Sequence, residues 1–161
     1  MTKFWYLPAV VFFLVVSFSG CMKPSLEDEI NKYLNKDTLW INKEATILSD
    51  QFEQSMISLA TDEKATIELL KSKLIKQSEN YLSKLKSHMI YNDKIKNAHE
   101  QIIICAKYTD LGYKFVLKNL ETKDGLYHKQ ATEVFDKADQ AQRIWKQRIL
   151  DLGQKFKVEI K

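Results

Sequence analysis

Apolar side chains recur at helical spacing along most of the chain. They form four stripes whose steps are mostly three or four residues, which is the spacing of one face of an α-helix. The stripes begin at Ile41, Ile67, Ile95 and Tyr127. Residues 25 to 111 contain neither Gly nor Pro and are rich in strong helix formers. The pattern predicts an all-α fold, an antiparallel bundle of about four helices plus a short N-terminal helix.

Residues that favour helix starts and turns separate these stripes. The short N-terminal helix is predicted to start at Ser25, which three acidic residues follow closely. Further starts or turns are expected at Thr61-Asp62-Glu63 and at Lys123-Asp124-Gly125. Asn92 and Asp93 either end one helix and cap the next or lie inside one long helix from residue 62 to residue 120. The long helix would give an elongated hairpin. The short stripes favour the break and a compact bundle.

Composition places the chain among folded domains. Of its 161 residues, 45% are hydrophobic and 29% are charged, which argues against a polytopic membrane protein or a disordered tail. The net charge is only +4, and basic residues are concentrated near the C-terminus. That basic end is either a solvated helix face or a contact with anionic lipid or acidic polymer. Nucleic acid is not an expected partner.

The first 20 residues differ from the rest of the chain. One cation, Lys3, precedes an apolar run from Phe4 to Phe18 that Pro8 interrupts. This run of 15 residues is shorter than the roughly 20 residues that a membrane-spanning helix needs. A basic start, a short apolar centre and small residues at the end are typical of a secretory signal.

The residues Phe18-Ser19-Gly20-Cys21 resemble the lipobox of bacterial lipoproteins. The resemblance implies that residues 1–20 are a signal peptide and that Cys21 becomes the acylated first residue, with a thioether-linked diacylglycerol. Residues 21–36 would then be an acylated tether with a short helix, and residues 37–161 the bundle. The alternative is an uncleaved anchor helix with an incidental cysteine. Met22, in place of an Asp, slightly favours the outer membrane if the host has one.

Candidate catalytic and metal-binding groups are scarce. The histidines His88, His99 and His128 lack the Glu-x-x-His spacing of bundle metal sites, and no phosphate-binding or nucleophile motif occurs. We therefore expect no metal, no cofactor and no enzymatic activity. His99 is expected on the surface. Cys105, inside an apolar run, is expected to be a buried structural thiol.

Two functional hypotheses follow from these observations. The first is a lipoprotein anchored at Cys21 in the bacterial cell envelope, whose bundle is a non-catalytic binding module for an envelope protein or a cell-wall polymer. The alternative is a carrier or sensor of a small apolar ligand, held between helices. Its cavity would be lined by Trp40, Phe52, Trp145 and Phe156.

Overall fold

The computed structural model describes residues 25–159. The lipobox-like residues and Cys21 lie outside this range. Within it, the secondary structure consists of helices and turns, so the predicted all-α fold is confirmed.

Four long helical segments, α1 to α4, make up the described part of the chain. Segment α1 (26–59) has three consecutive parts: α-helix Leu26–Lys32, π-helical turn Tyr33–Asp37 and α-helix Thr38–Leu59. Segment α2 (63–87) is built likewise from Glu63–Leu69, π-helical turn Leu70–Leu74 and Ile75–Ser87. Helices α3 and α4 span Asp93–Thr122 and Gly125–Phe156. Short connections make neighbouring segments antiparallel.

The helix starts expected from the sequence are present with side-chain caps. A side-chain oxygen of the residue before the helix accepts a hydrogen bond from a backbone N–H in the first turn, which satisfies one of the orphan donors there. The four capping residues are Ser25, Asp62, Asn92 and Asp124. Because Asn92 caps a new helix, residues 88–92 form a connection between two helices. The compact bundle is therefore confirmed, and the elongated hairpin is not formed.

The short N-terminal helix is present but is joined to the rest of α1 without a break. Ile30, Tyr33 and Leu34 are fully buried in the core. Burial of these three side chains stabilises this part of α1 against the other helices, so the residues expected to form the tether and short helix, 21–36, include part of the core. The packed body therefore extends almost to Ser25.

Helices α3 and α4 make the most extensive helix–helix contact of the described residues. Small buried side chains on α4 allow this approach: Ala131, Ala138 and Ala141. At Gly112 of α3, a Cβ atom would lie 2.4 Å from the ring of Phe135 on α4. Gly112 therefore leaves the space in which the Phe135 ring packs against α3.

The bundle has a basal end and a distal end. At the basal end, α1 begins, the connection 88–92 joins α2 to α3, and α4 finishes. The distal end holds the connections 60–62 and 123–124, bridged by an ion pair between Lys123 and Glu63.

Candidate functional site

A chain of buried hydrogen bonds joins all four segments in the basal half of the bundle. The indole N–H of Trp145 donates to the hydroxyl oxygen of Tyr33 over 3.3 Å. The Tyr33 hydroxyl lies 3.0 Å from Nδ1 of His99, whose Nε2 lies 2.8 Å from the backbone carbonyl of Leu85. These residues belong to α4, α1, α3 and α2 respectively.

The hydrogen-bond partners of His99 and its burial determine the protonation state of its ring. A backbone carbonyl only accepts, so Nε2 of His99 carries a proton. Because burial disfavours the charged ring, Nδ1 is unprotonated and accepts from the Tyr33 hydroxyl. This is the neutral imidazole. Burial lowers the pKa of His99 from its ordinary value, because the low-dielectric surroundings disfavour the charged ring. The expectation of a surface histidine was wrong: the ring is only 4% exposed, since its polar atoms are satisfied inside the bundle.

His88 extends the polar cluster towards solvent. Its Nε2 lies 2.9 Å from a carboxylate oxygen of Asp37, a residue that is itself buried at the end of the π-helical turn of α1. The rings of His88 and His99 have centroids 5.5 Å apart, and Trp40 packs edge-on against His88. The π-helical turn thus supplies both Tyr33 and Asp37 to one cluster.

A cavity of about 280 Å³ lies in the middle of the bundle, above this hydrogen-bond chain. All four segments contribute to its walls. An alanine from each of three segments faces it, namely Ala45 on α1, Ala106 on α3 and Ala138 on α4. Because three small side chains meet at one level, the helices leave space there that larger residues would fill.

Aromatic rings close the distal side of the cavity. Phe52, Tyr113 and Phe135 pack together with ring centroids between 4.9 and 5.9 Å apart. The exposed side chains Ser49 and Asp139 and the partly exposed Gln142 also line the cavity and give it a polar rim between α1 and α4. This combination of apolar walls and a few polar groups suits a small, mainly apolar molecule.

Ser78 and Cys105 are further polar groups of the cavity wall. Ser78 donates to Asp110, and Asp110 also pairs with Lys114 at 2.8 Å. Cys105 is half-buried with a free thiol, and burial raises its pKa, so it is a poor nucleophile at neutral pH. The expectation of a buried structural thiol is met only in part, because Cys105 is half-buried and lines the cavity instead of packing in the closed core.

The four aromatic residues predicted to line one cavity do not converge. Phe52 lines it, but Trp145 is in the buried hydrogen-bond chain below. Trp40 packs on Tyr81 and His88, and Phe156 lies at the basal end beside Lys94. Sequence reasoning missed Tyr113 and Phe135. Gly112 is the sequence feature that could have pointed to them, since a glycine inside a helix often marks the close approach of a neighbouring side chain or helix.

Two negative findings apply to the part of the chain that the structure describes. Among residues 25–159, no three His, Cys, Asp or Glu side chains are grouped so that they could hold a metal ion. In the same range, no helix combines the length and apolar character needed to cross a bilayer.

Comparison with known proteins found no family model, no curated protein and no solved structure that matches this chain.

Proposed function

We propose that this protein is a lipoprotein of the bacterial cell envelope, held in the membrane by acyl chains on Cys21, whose helical bundle is a non-catalytic binding module. The observation that carries the proposal is the lipobox-like Phe18-Ser19-Gly20-Cys21 directly before a packed bundle. Only residues 22–24 separate Cys21 from the capping residue Ser25. Two or three acyl chains would give stable membrane attachment, whereas one chain binds only marginally.

The anchor is tested with the two cysteines of the chain as a matched pair. We expect the native protein and a Cys105→Ser variant to fractionate with membranes, with an intact mass of residues 21–161 plus acyl groups. A Cys21→Ser variant should lose the acyl mass and the membrane attachment. Retention of Met1, or an unmodified Cys21 in the native protein, would contradict the anchor.

An envelope protein or a cell-wall polymer is the proposed partner of the bundle. The support is the exposed face of α4 that carries Arg143, Lys146 and Leu150 at helical spacing, with Arg143 paired to Asp139. Such a mixed basic and apolar face suits an acidic partner. A photoreactive residue at position 150 should crosslink one specific species in living cells, whereas the same residue at position 39, exposed on α1, should not. Crosslinks to lipid alone would contradict this part of the proposal.

A second candidate function is favoured by the central cavity: carriage or sensing of a small apolar ligand. An apolar cavity of about 150 Å³ is large enough for benzene. The cavity here, at about 280 Å³, has room for a ligand of about two aromatic rings or a short alkyl chain. The polar rim of Ser49, Asp139 and Gln142 could accept a hydroxyl or amine group of such a ligand.

Ligand uptake is tested by titration with 1-aminonaphthalene, whose fluorescence depends on its surroundings, and by native mass spectrometry of the purified protein. We expect saturable binding that an Ala45→Leu variant weakens by about tenfold or more, because the added side chain fills the cavity. The matched control is Ala60→Leu, the same change at an exposed position. Equal binding by both variants would place the dye elsewhere and contradict the carrier hypothesis.

A further inference from the structure

Three exposed apolar side chains lie at the basal end of the bundle. Met89 is 72% exposed and Tyr91 is 56% exposed, both in the connection 88–92, and Leu26 in the first turn of α1 is 41% exposed. The Tyr91 hydroxyl contacts the sulfur of Met89 at 4.0 Å. These side chains bury little surface in the bundle, so packing within the described residues does not explain their apolar character.

The connection 88–92 is held against the first turn of α1. The backbone N–H groups of Tyr91 and Asn92 both donate to one carboxylate oxygen of Glu29, over 2.7 and 3.1 Å. These two hydrogen bonds hold the connection in one place although Met89 and Tyr91 are exposed to solvent. It also keeps them beside the start of α1, where the chain enters the bundle.

The sequence before Ser25 limits how far this end can lie from Cys21. Four residue steps separate Cys21 from Ser25, and an extended chain covers at most about 3.6 Å per step, or about 14 Å in total. A 30-residue helix such as α3 is about 45 Å long. If Cys21 carries the acyl chains, the basal end must therefore stay near the bilayer surface while the distal end can stand well away from it.

The chemistry of the basal end fits the interfacial region of a bilayer. Tyrosine is enriched there because its ring is apolar and its hydroxyl is polar, and methionine is flexible and apolar. Lys94 and Lys155 are close together, and the charge of Lys155 lowers the pKa of Lys94. The exposed Glu27 and Asp28 offset this positive charge. The apolar side chains, rather than net charge, would then provide the contact.

We propose that the connection 88–92 and Leu26 form a membrane-docking surface, on which Met89 and Tyr91 insert into the headgroup region of the bilayer that holds the acyl chains of Cys21. This inference rests on the proposed lipid anchor. It fixes the orientation of the bundle, with its helices standing away from the membrane and the distal end facing outward. The cavity rim would then open above the bilayer surface, not into it.

Two reporters, each with one free thiol when Cys21 is acylated, test the docking surface. Met89→Cys and Ile57→Cys are made in full-length chains that also carry Cys105→Ser, and each is labelled with the dye NBD. Ile57 is a matched control, since it is an apolar residue of the distal half that is 68% exposed. The acylated proteins are reconstituted into phosphatidylethanolamine–phosphatidylglycerol vesicles with or without doxyl-labelled lipid.

We expect the dye at residue 89 to have blue-shifted emission and to be quenched by doxyl lipid about twofold or more relative to the dye at residue 57. Adding Tyr91→Glu should reduce this quenching without loss of helical content, because Tyr91 is exposed. Equal quenching at both positions in protein that floats with the vesicles would overturn the docking surface and leave the anchor intact.

Two other outcomes also contradict the docking surface. Absence of acyl mass and of flotation would overturn the lipid anchor, and the docking surface with it. Retention of Met1, with a blue-shifted dye at residue 89 that doxyl lipid does not quench, would mean that residues 1–20 cover this surface instead of the bilayer.

Discussion

The basal half of the bundle and its middle are built from the same four segments, but their side chains fill the space between them differently. In the basal half, the large residues Tyr33 and Trp145 meet with His99, and every polar atom of this group has a partner. In the middle, Ala45, Ala106 and Ala138 face each other around the cavity. Large side chains fill the space between the helices at the basal level, and small side chains leave a cavity at the next level.

This difference separates the level that fixes the fold from the level that leaves free space between the helices. Burying Trp145 and the residues around it removes a large apolar area from water and joins all four segments. The cavity costs stability, because its walls lose dispersion contacts that a filled core would have. We expect a ligand site to show such a loss of stability at one level of the bundle only.

The largest expected effect is at the filled level. Trp145→Ala should lower the free energy of unfolding by about 3–5 kcal/mol, because it removes a fully buried ring and its hydrogen bond to Tyr33. Phe52→Ala, at the cavity wall, should cost less than about half of that, since Phe52 is partly exposed and one of its sides faces empty space. Urea denaturation measures both. Equal losses would remove the distinction between the two levels.

A smaller loss is expected when only the central hydroxyl of the basal chain is removed. Tyr33→Phe keeps the ring but leaves the indole N–H of Trp145 and Nδ1 of His99 without their partner. The expected cost is about 1–3 kcal/mol in the free energy of unfolding. Tyr91→Phe, which removes an exposed hydroxyl, is the control and should change the stability little. A neutral Tyr33→Phe would show that the hydrogen-bond chain contributes little.

The basal level should also make stability depend on pH. Burial lowers the pKa of His99 below its ordinary value of 6.5, so below about pH 6.5 the unfolded chain binds more protons than the folded one. His99 therefore contributes its full stability above pH 6.5 and loses it as the pH falls. The slope from this one group is at most about 1.4 kcal/mol per pH unit.

Urea titrations between pH 5 and pH 7.5 check this expectation. His99→Gln should flatten the loss of stability below pH 6.5, whereas His128→Gln, at an exposed histidine, should leave it unchanged. An unchanged pH dependence in His99→Gln would show that His99 does not cause it.

The smallest change in stability is expected at Gly112, at the edge of the cavity. In Gly112→Ala, the new Cβ would displace the Phe135 ring, and the free volume beside that ring lets it move into the cavity. The gain of about 1 kcal/mol in helix propensity offsets part of the packing cost, so the net change should be within about 1 kcal/mol. Binding of 1-aminonaphthalene should nevertheless weaken.

Gly125→Ala is the control for this substitution, because a Cβ there would meet no atom within 4 Å. It should leave dye binding unchanged. If Gly112→Ala cost several kcal/mol instead, the Phe135 ring would be fixed, and the cavity would not be free to accept it.

The helices could be predicted from the sequence because their signals are local. The spacing of apolar residues and the capping residues Ser25, Asp62, Asn92 and Asp124 predicted where helices begin, and the structure has them there. The alanines of α4 are spaced at helical intervals in the sequence, and in the structure they lie where α3 packs closely. The prediction for Cys21 is equally local, since it depends only on adjacent residues, and it stays a prediction.

The sites between helices could not be predicted in the same way. A helical stripe shows that Trp40, Phe52, Trp145 and Phe156 face a core, but not at which height of the bundle each one lies. The structure separates them into the basal end, the hydrogen-bond chain and the cavity. His99 was misplaced for a related reason, because its partners Tyr33 and Leu85 are 66 and 14 residues away in sequence.

Neighbouring residues alone predict the helical class, the helix starts and the distinct character of residues 1–20, since periodicity, capping and apolar run length are local properties. Three features arise instead from packing between helices: the histidine on α3 is buried and neutral, three alanines from separate segments leave a cavity, and Met89 and Tyr91 lie beside the start of α1. Each of these depends on which residues of different helices come to the same height. That height is fixed by packing between helices and leaves no periodic signal in any one of them.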